Sequence, residues 1–254
     1  MTDPEITAPS ITERPPLRFL PSPPGAEAYP ALFKPAGRVV HGADGLLEEA
    51  RESLGPELAL AHRLDRETSG VLLLARNAEA LAAAHRAWSE QITKTYLART
   101  RGVPSPAEGL IDAPLLENRS GRPDLLKRAL VAAYGPARAG HLLSGRGVNS
   151  IPRIPAKGAT AVHPAGRPAQ TRYRVLSDEG TTALVELTPV QGRMHQIRVH
   201  LRHLGTPILG DRLYDDPGDE VLGAPFLHAL RLVWRNPPGR PEGEVWSWEA
   251  PAER

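Results

Sequence analysis

The chain has 254 residues, enough for one large domain or two small ones with a substantial core. It has no cysteine, which excludes disulfides, thiol chemistry and Cys-ligated zinc, and no apolar stretch approaches the roughly 20 residues of a membrane-spanning helix. The formal net charge of +2 conceals an uneven distribution, because residues 118–175 carry eleven basic side chains against one acid, Asp124. Such a stretch on a nearly neutral protein is the footprint of a polyanionic partner, although an unfolded, solubilising loop has a similar composition.

In chain order, the first 30 residues hold eight prolines and lack the positive start and apolar segment of a secretory signal. Residues 1–29 are therefore expected to form an extended, poorly ordered tail on a soluble, cytoplasmic protein. The stretch from His62 through Arg63, Leu64, Asp65, Arg66, Glu67, Thr68 and Ser69 to Gly70 sets one carboxylate among basic side chains. Directly after it, Val71, Leu72, Leu73, Leu74 and Ala75 read as a buried central strand. A loop anchored to such a strand is a rigid mount for a reactive group, with Gly70 supplying a close approach or an unusual dihedral. Asn77 caps a helix expected to run to about residue 91 with Leu81, Ala84 and Trp88 on one face, and Lys94 to Arg101 alternates like a strand.

Further on, residues 124–134 have helical composition, and 171–175 and 182–187 read as strands joined by the turn Ser177-Asp178-Glu179-Gly180. If 193–204 is helical, Met194, Ile197, Leu201 and Leu204 fall on one apolar face. His195, Arg198 and Arg202 then line a second face and Arg193, Gln196 and His200 a third, both expected to look outward. His195 and His200 lie roughly 140° apart on that wheel with no carboxylate at ligand spacing, so no metal site is expected. Strands with helices interposed predict an α+β domain with a mixed or antiparallel sheet flanked by helices.

Taken together, these segments resemble the RluA-type pseudouridine synthases. The resemblance rests on His62-Arg63-Leu64-Asp65 with Thr68-Ser69-Gly70, on Phe33-Lys34-Pro35-Ala36-Gly37 with Val40-His41, and on Lys94-Thr95-Tyr96-Leu97-Ala98. It continues through Gly192 to Leu201, Gly210-Asp211 with Tyr214, and Leu227-His228-Ala229, and so covers residues 30 to 236. It implies a mainly antiparallel sheet split by an RNA-binding cleft, over residues 30–254, with a basic insertion at about 118–168. Many relatives carry a small N-terminal RNA-binding domain of the S4 type, which is not expected here. Met194 stands where the family usually has Thr, and its place on the apolar face makes a packing change the expected reason.

The resemblance further implies isomerisation of uridine to pseudouridine in structured RNA, transfer RNA or large-subunit ribosomal RNA, without a cofactor. Asp65 is then the nucleophile, Arg193 the cation that holds and aims it, and Tyr96 the active-site aromatic that stacks on uracil and is a candidate for taking the C5 proton. Leu227 packs the other face of the base. A uridine inside folded RNA must be swung out, and Arg63 is placed to fill the vacated stack, to hold a flanking phosphate, or to pair locally with Glu67. His62 is grouped with it on the RNA side, and with Thr68 and Ser69 it can shape the loop through hydrogen bonds. RNA affinity is expected from Arg119, Arg122, Lys127 and Arg128, with Arg198 and Arg202 as the alternative face. The expected state is a monomer. The competing readings are a catalytically silent RNA-binding protein of the same fold and an Asp-based N-glycosidase.

Overall fold

The computed structural model describes residues 16–118, 127–128, 130–132, 135–137, 139, 158–215 and 225–252. The elements in chain order are β1 (Arg18–Leu20), β2 (Ala31–Lys34), α1 (Leu46–Leu54), β3 (Ala59–Leu60), β4 (Ser69–Ala75), α2 (Ala78–Ala87) and β5 (Ile92–Arg101). They continue with β6 (Glu108–Asp112), β7 (Leu115–Glu117), β8 (Thr160–Val162), β9 (Gln170–Asp178), β10 (Thr182–Pro189), α3 (Gln196–His203), β11 (Leu227–Arg235) and β12 (Val245–Glu249). One large sheet runs β1-β2-β4-β11-β5-β10-β9-β6, with β3 on β4 and β12 on β11, while β7 and β8 form a separate pair. Among the described residues, every strand pairing is antiparallel except β4 with β11. The fold is thus α+β with a mixed, mainly antiparallel sheet, as the pattern of elements predicts.

Strand β4 is apolar and buried from Gly70 to Ala75 because both of its faces are covered. Val71, Leu73 and Ala75 face a core with Ala80, Ala84 and Ala87 of α2 and Trp234, Trp246 and Trp248, whereas Leu72 and Leu74 pack with Leu46, Leu47 and Ala50 on the α1 side. Helix α2 starts where Asn77 Oδ1 accepts the Ala80 amide at 2.8 Å and ends at Ala87, short of the expected residue 91. A third core, under β5, β9 and β10, contains Ile197 and Leu201 of α3. Helix α3 therefore closes one half of the sheet, α1 and α2 the other.

The parallel β4–β11 pair matters most for the site, since both strands begin at the same end of the sheet. His228 pairs with Ser69 and Ala229 with Gly70. The His228 ring ties the strands together: its Nε2 donates to the Ala250 carbonyl at 2.8 Å, leaving Nδ1 to accept from the Ser69 hydroxyl at 2.9 Å. Gly70 has φ +114, and a Cβ there would stand 2.2 Å from the Ala229 carbonyl oxygen. Only glycine fits. Gly70→Ala is expected to destabilise the protein by about 2–4 kcal/mol through combined strain and overpacking. Urea unfolding would read this as a lower midpoint at unchanged slope, and an unchanged midpoint would show that the strands part without cost.

Two expectations need correction. Residues 16–29, expected to belong to an unordered tail, are built into the domain: β1 pairs with β2, and Leu20, Ala26 and Tyr29 are buried. Tyr29 packs edge-on against Trp234 at 4.8 Å, so apolar side chains between the prolines anchor this segment. Residues 1–15 lie outside the described residues. The third face of α3 does not look outward either, because Gln196 and His200 are buried. Gln196 Nε2 donates to the Gln170 carbonyl and to Thr171 Oγ1 at 2.8 and 3.1 Å. His200 Nε2 donates to the Ala113 carbonyl at 3.0 Å and its Nδ1 accepts from the Thr171 hydroxyl at 2.8 Å. Buried polar groups persist there because each has a partner.

Candidate active site and RNA interface

Asp65 sits in a tight turn before β4, closed by the Thr68 amide donating to the Asp65 carbonyl at 3.1 Å. That turn is gripped from below by Lys34, which is fully buried at the end of β2. Its ammonium donates to the carbonyls of Arg66 and Thr68, both at 2.7 Å, and of Pro35 at 3.0 Å, so its three donors meet three acceptors. Burial pulls the Lys34 pKa down to about 8, against the pull of Glu67 and Asp65. Lys34 is legible in the sequence only as part of a motif, yet it is the side chain that holds the Asp65 loop.

The turn forms one wall of a cleft of about 410 Å³, within the range of a small-molecule site. Tyr96 from β5, Leu227 from the start of β11, and Arg193, Met194 and Arg198 around the start of α3 complete it. Among the described residues, two basic side chains stand within 4 Å of the Asp65 carboxylate, both nearest the same oxygen. Arg198 Nη1 is 3.6 Å from Oδ2 and His195 Nε2 is 3.9 Å from it. Arg198 is itself fixed by Asp211, whose side chain is 0% exposed, through paired bonds of 2.7 Å. Its guanidinium carbon also lies 5.0 Å from the centre of the Tyr214 ring. Asp211 accepts the amides of Leu213 and Tyr214 as well, at 3.1 and 3.3 Å, so the whole array is anchored to backbone.

Among the described residues, Arg198, not Arg193, is therefore the guanidinium within 4 Å of the Asp65 carboxylate. Arg193 borders the cleft, but its Nε donates to the Pro168 carbonyl at 3.2 Å and its amide to Gln196 Oε1 at 3.0 Å. The cause is local: His195 adopts φ 55 as N-cap, so α3 begins only at Gln196 and residues 193–194 lie before it. For the same reason Met194 does not join the apolar face but lines the cleft, with its amide donating to Glu117 Oε1 at 3.1 Å.

Tyr96 and Leu227 line the cleft as expected, and Tyr96 is half-buried. Burial, reinforced by the Asp65 charge, pushes the Tyr96 phenol well above its ordinary pKa. It stays protonated, and can accept a proton only by passing on its own. Arg63 is exposed at the mouth of the cleft and, among the described residues, pairs with no carboxylate; Glu67 lies 3.7 Å from Arg66 instead. His62 turns away from the cleft: its ring packs 4.9 Å from Trp88 and its Nε2 accepts the Leu73 amide at 3.0 Å. Burial and the neighbouring Lys94 charge lower its pKa, so it acts as a neutral strut for β4 rather than an RNA contact. Arg202 donates to the Tyr214 carbonyl and so braces the Asp211 turn. Lys127 and Arg128 are exposed, whereas Arg119 and Arg122 lie outside the described residues.

Residues 29–203 match the family described as RNA pseudouridylate synthase. The chain belongs to this family. It is 35% identical over 237 residues to the ribosomal large subunit pseudouridine synthase C of Escherichia coli, covering 87% of this chain and 63% of that protein. Its identity to the same-named protein of Vibrio cholerae is 33% over 227 residues, covering 84% and 61% respectively. The chain thus spans about three-fifths of the length of these relatives. Among solved structures, human RNA pseudouridylate synthase domain containing 4 superposes with a TM-score of 0.62 at 28% identity, covering 89% of this chain and 86% of the other. Human RNA pseudouridylate synthase domain containing 1 shares the fold, with a TM-score of 0.66 at 22% identity over 93% and 84%.

Proposed function

We propose that this chain isomerises uridine to pseudouridine in RNA, with large-subunit ribosomal RNA as the substrate class, as a monomer in the cytoplasm and without a cofactor. The observation that carries this reading is the Asp65 carboxylate, supported by Arg198 and His195 in the cleft of a chain of this family. The names of the curated relatives support the substrate class.

The reaction breaks N1–C1′, turns the base, joins C5 to C1′, and moves the C5 proton off the ring while N1 regains one. Asp65 can attack C1′, stabilise its developing positive charge, or remove a sugar proton to form a glycal. Arg198 aims the carboxylate through Oδ2. Tyr96 and Leu227 flank the uracil, keeping it in the cleft while it is detached. Arg63 takes a flanking phosphate or the space left by the flipped base. Chromatography of nucleosides after treating unmodified large-subunit ribosomal RNA tests the proposal: pseudouridine is expected, free uracil would indicate an N-glycosidase, and no change a silent binder.

Tyr96→Phe keeps the ring and removes the hydroxyl. Turnover is expected to fall while RNA affinity stays, because the ring still stacks and phosphates dominate binding. A normal rate would assign the C5 proton to water or another group.

Affinity is expected to come from the basic insertion. Neutralising Arg119, Arg122, Lys127 and Arg128 together should weaken binding and flatten the log–log salt slope by up to roughly 3 units, with little change in turnover at saturating RNA. A salt titration reads the slope. An unchanged value would move the RNA interface elsewhere on the domain.

A further inference from the structure

The His195 side chain belongs to a hydrogen-bond chain whose polarity can be followed end to end. It begins at the Thr160 amide, which can only donate and does so to the Tyr214 hydroxyl oxygen at 2.9 Å. The same hydroxyl is 2.7 Å from His195 Nδ1, and Tyr214 is buried. Were Nδ1 the protonated nitrogen, the Tyr214 hydroxyl proton would have no acceptor among the described residues, and an unmet buried donor costs free energy. The hydroxyl therefore donates to Nδ1. With Nδ1 accepting, the proton of the ring sits on Nε2, facing Asp65 Oδ2 at 3.9 Å, and burial, which lowers the His195 pKa, favours that neutral form.

The backbone of His195 points the same way. A non-glycine residue at φ 55 is uncommon, and such strain persists only where the surroundings enforce it. Here it swings the ring toward Asp65 just before α3 begins. The charged and titratable groups around the ring are Asp65, Arg198, Asp211, Glu117 and Tyr214.

We propose that His195 is a positioning residue for Asp65: with its tautomer set by Tyr214, its Nε2–H supports Oδ2 beside Arg198 and leaves Oδ1 to meet the ribose. This rests on Asp65 acting on the sugar, as proposed above. A neutral donor suits the task, because a second full positive charge would hold the carboxylate back from the carbon it must approach. Tyr214 then acts on Asp65 at one remove, through a proton it never transfers.

The test combines ¹⁵N NMR of the imidazole with single-turnover kinetics on unmodified, transcribed large-subunit ribosomal RNA. The wild-type ring is expected to show the Nε2–H tautomer, and Tyr214→Phe a mixture. His195→Asn tolerates the left-handed backbone but is too short to reach Asp65, so its rate should drop about 10²-fold. His195→Gln carries an N–H near the Nε2 position and should recover to within about tenfold of wild type, all at RNA affinities within about twofold. Tyr214→Phe should slow the native enzyme but cost nothing further in the His195→Asn background, since the two act as one unit. A purely structural Tyr214 would instead cost the same in both backgrounds. That result, a wild-type rate for His195→Asn, or an Nδ1–H ring would each overturn the role. Absence of pseudouridine from the wild-type reaction overturns the functional reading and this role with it, whereas an active wild type matched by His195→Asn overturns the role alone.

Discussion

Asp65→Asn is expected to abolish pseudouridine formation while leaving RNA affinity within about tenfold of the native value. The substitution keeps the size of the side chain and the turn beneath it. That turn is held by the Lys34 ammonium on the carbonyls of Arg66 and Thr68, and by the Thr68 amide on the Asp65 carbonyl, none of which involves the carboxylate. Folding should therefore be little changed, and the loss is chemical. An amide neither attacks C1′ nor stabilises a developing positive charge there as a carboxylate does. RNA affinity is dominated by phosphate contacts, which a carboxylate does not make. The measurement is nucleoside composition after prolonged incubation, with deamidation of the introduced asparagine excluded by mass. Any pseudouridine from the intact variant would remove Asp65 from the centre of the mechanism.

How far the site could be read from the residues depends on how local each part is. The Asp65 turn was legible because its constraints are contiguous: carboxylate, turn, glycine and buried strand occur within residues 62–75, and each requirement is met by a neighbour. Strand β4 was legible for the same reason. The partner of Asp65 was not, since choosing Arg198 over Arg193 depends on where α3 begins, and that is set by one left-handed residue, His195, which a helical wheel drawn from residue 193 cannot contain. The inward turn of Gln196 and His200 depends on Thr171, Gln170 and Ala113, remote in sequence and brought together only by the sheet. Lys34 is a similar case: a lysine at the end of a strand reads as exposed until three carbonyls are seen to surround its ammonium. The ordered segment 16–29 misled because proline content outweighed Leu20, Ala26 and Tyr29, whose burial depends on tryptophans more than 200 residues away.

Arg198→Met should be the most damaging single change after Asp65→Asn, because Arg198 serves two carboxylates at once. Toward Asp211 it completes a buried pair, and its removal leaves a fully buried charge supported, among the described residues, by the Leu213 and Tyr214 amides alone. Breaking such a pair from one side costs on the order of 3–5 kcal/mol. Toward Asp65 it supplies the cation nearest Oδ2, and loss of preorganised electrostatic support in a cleft typically lowers turnover by about 10²–10³-fold. The two effects can be separated. Adding Asp211→Asn to Arg198→Met neutralises the stranded charge and should recover much of the lost stability, while turnover stays low because nothing has been restored at Asp65. Arg198→Lys should not rescue it either, since one ammonium cannot reproduce the paired bonds to Asp211 while also reaching Asp65. Urea midpoints and single-turnover rates on the three variants decide the matter. If turnover returns together with stability in the Arg198→Met, Asp211→Asn protein, Arg198 acts only through the fold, and the electrostatic support of Asp65 must come from His195 or from the RNA itself.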